Sequence, residues 1–201
     1  QYLSLNSSLL NQSNIKEAAK WICSPPVRDE SDSKALWHGI EEKVLDLVSS
    51  DHAPYSFDEK GKFFMGNNPS FKEIPNGMPG LHWRLPIILN KVLRKKCNLD
   101  LHDFIRITST MPAKIYGLYP KKGEIRIGSD ADITIWNKDK KVTLTDEMVV
   151  DGSKYNPYSG FEVFCWPDEV LLRGHTIVKN NKIMGKQNIG KFLPTKLSDY
   201  I

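Results

Sequence analysis

At 201 residues the chain has room for one large domain or one and a half ordinary ones. A hydrophobic content of 40% beside 26% charged residues is that of a soluble globular chain, and no apolar run approaches the ~20 residues of a membrane-spanning helix. The net charge of +4 is modest, and its densest run, Arg94-Lys95-Lys96, closes a predicted helix where cations complement the dipole, which argues against a nucleic-acid partner. Gln1 to Leu10 reads as extended and then turn-like, without a basic region and apolar core of signal-peptide type. Cys23, Cys97 and Cys165 are odd in number and widely spaced, so reduced thiols in a cytoplasmic protein are expected rather than a disulfide framework or a zinc ribbon.

In chain order, Asn14 caps a short helix from Ile15 to Trp21, with Glu17 three residues after the cap. Cys23-Ser24-Pro25-Pro26 follows as an extended segment, because each proline disfavours the helical region for the residue before it. A helix starting at Asp29 or Ser31 carries Leu36, Trp37 and Ile40 on one apolar face. Val44 to Val48 is a short apolar run, read as a buried strand that ends in Ser50-Asp51-His52 and is stopped by Pro54. Residues 56 to 76 are polar and aperiodic, a length that in a compact domain marks a functional or disordered loop. It leads into Ile74-Pro75-Asn76-Gly77-Met78-Pro79-Gly80, where Pro and Gly fix an irregular backbone, either as a plain turn or as a frame for main-chain groups facing a ligand. Leu81 to Lys96 is predicted as a helix, and Leu101 to Leu118 as another interrupted near Met111-Pro112. After Pro120 the period becomes alternating. Strands are expected at Gly123–Gly128, Ala131–Trp136, Val170–Arg173 and Thr176–Lys179, with Asn180-Asn181 turning into Lys182 to Gly185.

The chemistry-bearing residues are sparse. A metal site needs three or four ligands held close together, and none of His38, His52, His82, His102 and His175 forms His-x-His or an i, i+4 pair. Asp51, at a strand end, is the one well-placed carboxylate. No Gly-x-Ser-x-Gly elbow and no phosphate-binding Gly-x-x-x-x-Gly-Lys loop is present.

Taken in order, Lys20-Trp21-Ile22-Cys23-Ser24-Pro25-Pro26-Val27-Arg28-Asp29, Leu36-Trp37, Ser50-Asp51-His52-Ala53-Pro54-Tyr55 and Ile74-Pro75-Asn76-Gly77 resemble the dihydropyrimidinase/hydantoinase branch of the cyclic amidohydrolases. Gly123 to Asp132, Asn156-Pro157-Tyr158-Ser159-Gly160 and Leu172-Arg173-Gly174 resemble later elements of that family, so the resemblance covers nearly the whole chain. It implies an α/β architecture. Residues 1–119 would be the C-terminal part of a TIM-like (β/α)8 metal-dependent hydrolase barrel, 120–186 a segment of a small β-sandwich, and 187–201 a C-terminal tail suited to packing against a neighbouring subunit.

The resemblance also implies a mechanism. Asp51 would lie at the end of the eighth barrel strand, ligate one metal and act as general base. Ser24 and Asn76 would bind a cyclic –CO–NH–CO– ring largely through main-chain groups, and His52 would have a supporting role. The implied cofactor is zinc, two ions bridged by a carboxylated lysine. That lysine, a His-x-His and two further histidines would precede the matching region and are not found in these residues. The expectation is therefore a fragment of a longer, tetrameric, cytoplasmic enzyme that opens dihydropyrimidines or hydantoins, inactive on its own. Allantoinase or dihydroorotase chemistry, or a non-enzymatic scaffold of the collapsin-response-mediator type, are the alternatives. Retention of Asp51 and Asn76 argues for the enzymatic lineage.

Overall fold

Asn14 begins the first helix as its side chain suggests. In the computed structural model, which describes residues 1–185 and 188–198, its carboxamide oxygen accepts the Lys16 N–H and starts α1 (Ile15–Ala18). The helix tightens after one turn into a 3-10 turn at Ala19–Trp21. Both belong to the first of two compact units, which comprises Gln1–Leu45, Ser49–Leu85 and Thr143–Glu162. A second helix, α2 (Glu30–Glu41), buries Trp37 and Ile40 on the predicted face, and the Trp37 indole donates to the Leu3 carbonyl at 2.9 Å. Around Ala19, Phe63 and Ile74 lies an apolar cluster against which Ile15, Ile22 and Phe57 pack. The supposedly structureless 56–76 stretch supplies two of those three residues. It folds as successive turns and a 3-10 turn at Phe71–Glu73 closed by a Ser70/Glu73 capping box.

The Val44–Val48 strand does not form. After α2 the chain reverses through Lys43 (φ 59°), and the amides of Val44 and Leu45 both reach back to the Gly39 carbonyl, at 2.8 and 2.9 Å. That turn turns Val44 outward, leaving it 75% exposed. The segment beyond is extended, and its ladder contact is a single parallel bridge between His52 and Met78.

The second unit comprises Asp46–Val48, Pro86–Val142 and Val163–Ile201, of which Lys186, Gln187 and Asp199–Ile201 lie outside the described residues; the expected tail therefore falls partly outside them. It contains most of α3 (Arg84–Leu93), shorter at both ends than the predicted Leu81–Lys96, with Ile88, Leu89 and Val92 buried. Next come α4 (Leu101–Ile105), a π-helical turn at Arg106–Thr110, and α5 (Met111–Ile115). The interruption expected near Met111-Pro112 has a definite form. In the π turn the Met111 N–H donates five residues back to Arg106, and the next carbonyl in that pattern, Ile107, faces Pro112, which has no N–H. The Val48 amide takes that carbonyl instead, at 3.1 Å.

The strands are β1 (Ile133–Asn137), β2 (Val142–Thr143), β3 (Glu162–Val163), β4 (Trp166–Leu172), β5 (His175–Lys179) and β6 (Lys182–Ile183). Antiparallel pairing in the order β1-β4-β5-β6 makes a four-stranded sheet, with a register shift between Ile135 and Trp136 where Pro167 enters the ladder. The Asn180-Asn181 turn joins β5 to β6 as expected, both residues left-handed at φ 49° and 61°. Gly123–Gly128 is not a strand. Its two glycines are left-handed, Ile125 and Ile127 are 84% and 102% exposed, and the Arg126 carbonyl closes a turn onto the Ser129 amide.

Candidate functional site

Three segments of the first unit carry the residues singled out above, and main-chain hydrogen bonds stitch them together. The Ile22 carbonyl, two residues before Ser24, accepts the Gly77 N–H at 3.0 Å, one residue after Asn76. The Ala53 N–H, two residues after Asp51, donates to the Met78 carbonyl at 3.0 Å. His52 completes the join, because its Nδ1 accepts the amides of Gly80 and Leu81 at 3.1 and 3.3 Å. A neutral imidazole that accepts at Nδ1 carries its proton on Nε2. The segments bearing Ser24, Asp51 and Asn76 thus form one frame.

Within that frame the named residues face outward. Ser24, Asp51 and Asn76 are exposed, whereas Cys23, Val27, Gly77 and Met78 beside them are buried. Gly77 shows how tight the join is: at φ 155°, a β-carbon there would lie 2.6 Å from the Ala53 side chain and 2.9 Å from its carbonyl oxygen. Asp51 is left-handed (φ 48°), and its Oδ2 accepts the Gln1 carboxamide at 2.8 Å. Such a frame presents main-chain donors and acceptors at fixed positions beside an accessible carboxylate. It can meet a planar ring of alternating carbonyl and N–H groups at little entropic cost.

Two further residues of this unit escape sequence reading. Asp151 Oδ2 lies 3.6 Å from His82 Nδ1 and 3.8 Å from His52 Nε2. Burial works against its charge, but hydrogen bonds from Ser153, and then the charge attraction of His82 and His52 when they are protonated, hold the Asp151 carboxyl below its usual range. His82, which has no acidic neighbour in sequence, thus lies beside a carboxylate in space, at a separation longer than a hydrogen bond. The other residue is Lys62, fully buried, whose ammonium reaches the carbonyls of Ile22 at 3.0 Å and Pro75 at 2.8 Å. Nothing in its aperiodic surroundings marks it. Nearby, Tyr155 and Tyr158 are buried, and desolvation pushes both hydroxyls above the ordinary tyrosine range.

Asp51 offers an exposed carboxylate, but these residues do not make a metal centre by themselves. Among the described residues, no group of three or more His, Cys, Asp or Glu side chains is placed to hold a metal ion. The His52 Nδ1 lone pair is already used by two amides. A cleft of about 720 Å³ belongs to the second unit, lined by the 95–100 turn and Asp103, and holds none of the singled-out residues.

Comparison with known proteins decides the family. The family model described as "Amidohydrolase family" matches residues 8–177. The chain belongs to the amidohydrolase family. Among characterised amidohydrolases it is 36% identical to a D-hydantoinase of Ralstonia pickettii over 192 residues, covering 96% of this chain and 41% of that protein. A D-hydantoinase of Geobacillus stearothermophilus is 37% identical over 196 residues, covering 96% and 40%. The crystal structure of the dihydropyrimidinase from Brevibacillus agri NCHU1002 superposes with a TM-score of 0.85 at 36% identity, covering 92% of this chain and 39% of that one. The chain thus spans about two fifths of the length of the relatives it matches, and its fold is that of an α/β amidohydrolase over that span.

Proposed function

We propose that the protein carrying this chain hydrolyses the cyclic amide bond of hydantoins or dihydropyrimidines, and that this chain supplies the ring-holding frame and one metal-ligating carboxylate. The observation that carries the reading is the frame itself: Ser24, Asp51 and Asn76, far apart in sequence, stand on segments joined by the Gly77–Ile22 and Ala53–Met78 hydrogen bonds. The names of the relatives support the substrate class. Main-chain groups at Ser24 and Asn76 bind the ring and fix its carbonyl beside Asp51. Asp51 takes a proton as water adds to that carbonyl and returns it to the departing ring nitrogen. A bound metal, zinc in this reading and two ions per site, supplies Lewis-acid activation of the water, with the remaining ligands and the bridging carboxylated lysine coming from outside this chain.

In the same reading, residues 1–119 are the C-terminal part of a (β/α)8 barrel, 120–186 part of a β-sandwich, and 187–201 a tail that packs on a neighbouring subunit of a tetramer. The isolated chain is inactive. The protein works in the cytoplasm; no helix among the described residues is long and apolar enough to cross a membrane.

The test is ring opening of hydantoin and dihydrouracil by the full-length protein, followed by loss of ultraviolet absorbance of the ring amide. An Asp51→Asn variant keeps the shape but cannot accept the proton. We expect its kcat to fall by roughly 10³-fold or more, in line with loss of a general base that is also a ligand. Near-normal turnover by that variant removes Asp51 from the mechanism. Turnover confined to allantoin or dihydroorotate assigns the frame to a different ring.

A further inference from the structure

Lys62 is placed by a turn that leaves it nowhere else to go. Asp58 is the hub, accepting the Ser56 hydroxyl at 2.7 Å, the Lys60 N–H at 2.9 Å and the Lys154 ammonium at 2.6 Å. The Lys154 bond first, then those of Ser56 and Lys60, hold its carboxyl down to about 2, so the hub stays ionised at any working pH. The Gly61 N–H returns to the Asp58 carbonyl and the Lys62 N–H to the Ser56 carbonyl, at 3.1 and 2.8 Å. A β-carbon on Gly61 would lie 2.1 Å from the Ser56 oxygen, so the turn closes only around glycine. The residue after that glycine enters the interior and is 0% exposed.

An ammonium buried in this way is costly, and no carboxylate pairs with it among the described residues. What faces it is the Tyr55 ring, 6.0 Å away, and the Cys23 thiol, which burial keeps in its neutral form. Its donors go to the carbonyls of Ile22 and Pro75. The first lies two residues before Ser24 and already accepts the Gly77 amide; the second is the residue before Asn76. A core position filled by a leucine or methionine would avoid the desolvation, so the tie between two loops is what the charge provides.

We propose that Lys62 is a positioning residue for the cyclic substrate: by tying the Ile22 and Pro75 carbonyls to one ammonium, it sets the separation between the main-chain groups at Ser24 and Asn76. The assignment of the ring to those groups rests on the function proposed above; the tie itself does not. Lys62 touches no reacting atom, so its loss acts on ring binding and not on proton transfer.

The experiment replaces Lys62 by Met, which keeps the volume without the donors, and by Gln, which keeps a donating group on a shorter arm. Both are made in the full-length protein, with folding checked by circular dichroism. Steady-state hydrolysis of hydantoin is measured together with hydrogen exchange of the 22–24 and 76–78 amides. For Lys62→Met, KM should rise about tenfold to a hundredfold, the range for losing a charge-assisted bond, while kcat stays within about threefold. Lys62→Gln should recover part of the rise. Exchange at Gly77 should quicken while the α2 amides keep their protection. An unchanged KM, or a fall in kcat with KM unchanged, overturns the positioning role. Absence of hydantoin turnover in the unsubstituted protein sinks the ring assignment, and unchanged Gly77 exchange in the variants then sinks the tie as well. If Lys62→Met does not fold, Lys62→Gln decides both readouts.

Discussion

An ammonium with no solvent contact makes Lys62 the residue whose charge state matters most to this unit. Burial pulls its pKa from 10.5 down to about 8. Because the folded value lies below the unfolded one, the unfolded chain still holds the proton between those two pH values while the folded chain has released it. Stability therefore rises with pH across that window; below it both states are charged and the folded one bears the full desolvation cost. At 1.36 kcal/mol per unit the gain is at most about 3 kcal/mol. Lys62→Met lacks this titration. The stability difference between parent and variant, taken from urea midpoints at pH 7 and pH 10, should shift in favour of the parent at the higher pH. A pH-independent difference would show that Lys62 is solvated in the fold. The residue also marks the limit of what sequence discloses. Asp51, Ser24 and Asn76 stand in ordered motifs with Pro and Gly around them, which draws the eye to those segments. Lys62 binds main-chain carbonyls, which have no residue type to recognise, and Asp151 meets His52 and His82 across 99 and 69 positions of chain. Neither arrangement leaves a local pattern.

Among the elements, those that local rules govern were legible and those that need a partner were not. Asn14 at the start of α1, the apolar face of α2 and the Asn180-Asn181 turn follow from capping, periodicity and left-handed propensity, all properties of a few consecutive residues. Val44–Val48 and Gly123–Gly128 have strand-like composition, yet a strand exists only where another strand lies alongside it. The β5–β6 turn allows two competing effects to be separated. Both asparagines are left-handed, so glycine relieves a conformational cost of about 1–2 kcal/mol at either position, less about 0.5–1 kcal/mol for its greater chain entropy. At Asn180 only the backbone is engaged, its N–H donating to the Asp168 carbonyl at 2.9 Å, and Asn180→Gly should be neutral to slightly stabilising. At Asn181 the side chain accepts the Trp166 indole N–H at 2.7 Å, and Trp166 is 8% exposed. Stranding that donor costs about 1–3 kcal/mol, which outweighs the turn. Asn181→Gly should therefore lower the thermal midpoint while Asn180→Gly does not. Equal responses would place the indole bond outside the energetics of the hairpin.

At the scale of the whole chain, the packing units are discontinuous. Residues 143–162 return to the first unit, and Asp46–Val48 belongs to the second although its neighbours on both sides lie in the first. Composition does not disclose such returns, because the 143–162 stretch contributes Leu144, Tyr155 and Tyr158 as buried anchors without forming a long element. The amidohydrolase frame in the first unit is thus assembled from three stretches of chain, and the join of Ile22 to Gly77 and of Ala53 to Met78 is built from this sequence alone. Metal chemistry is a different matter. Asp51 is exposed, and among the described residues it has no companions with which to hold an ion. One carboxylate in water competes poorly with hydration, and tight zinc sites use three or four protein ligands. The 201-residue chain expressed alone should then bind zinc far more weakly than the full-length protein in competition with a chromophoric chelator. It should also open neither hydantoin nor dihydrouracil at any zinc concentration that keeps it soluble. The Asp51→Asn substitution should leave the weak binding of the isolated chain almost unchanged yet abolish turnover in the full-length protein. Ring opening by the isolated chain would mean that the frame gathers a working metal site from residues already in hand, and would overturn the assignment of the remaining ligands to sequence outside it.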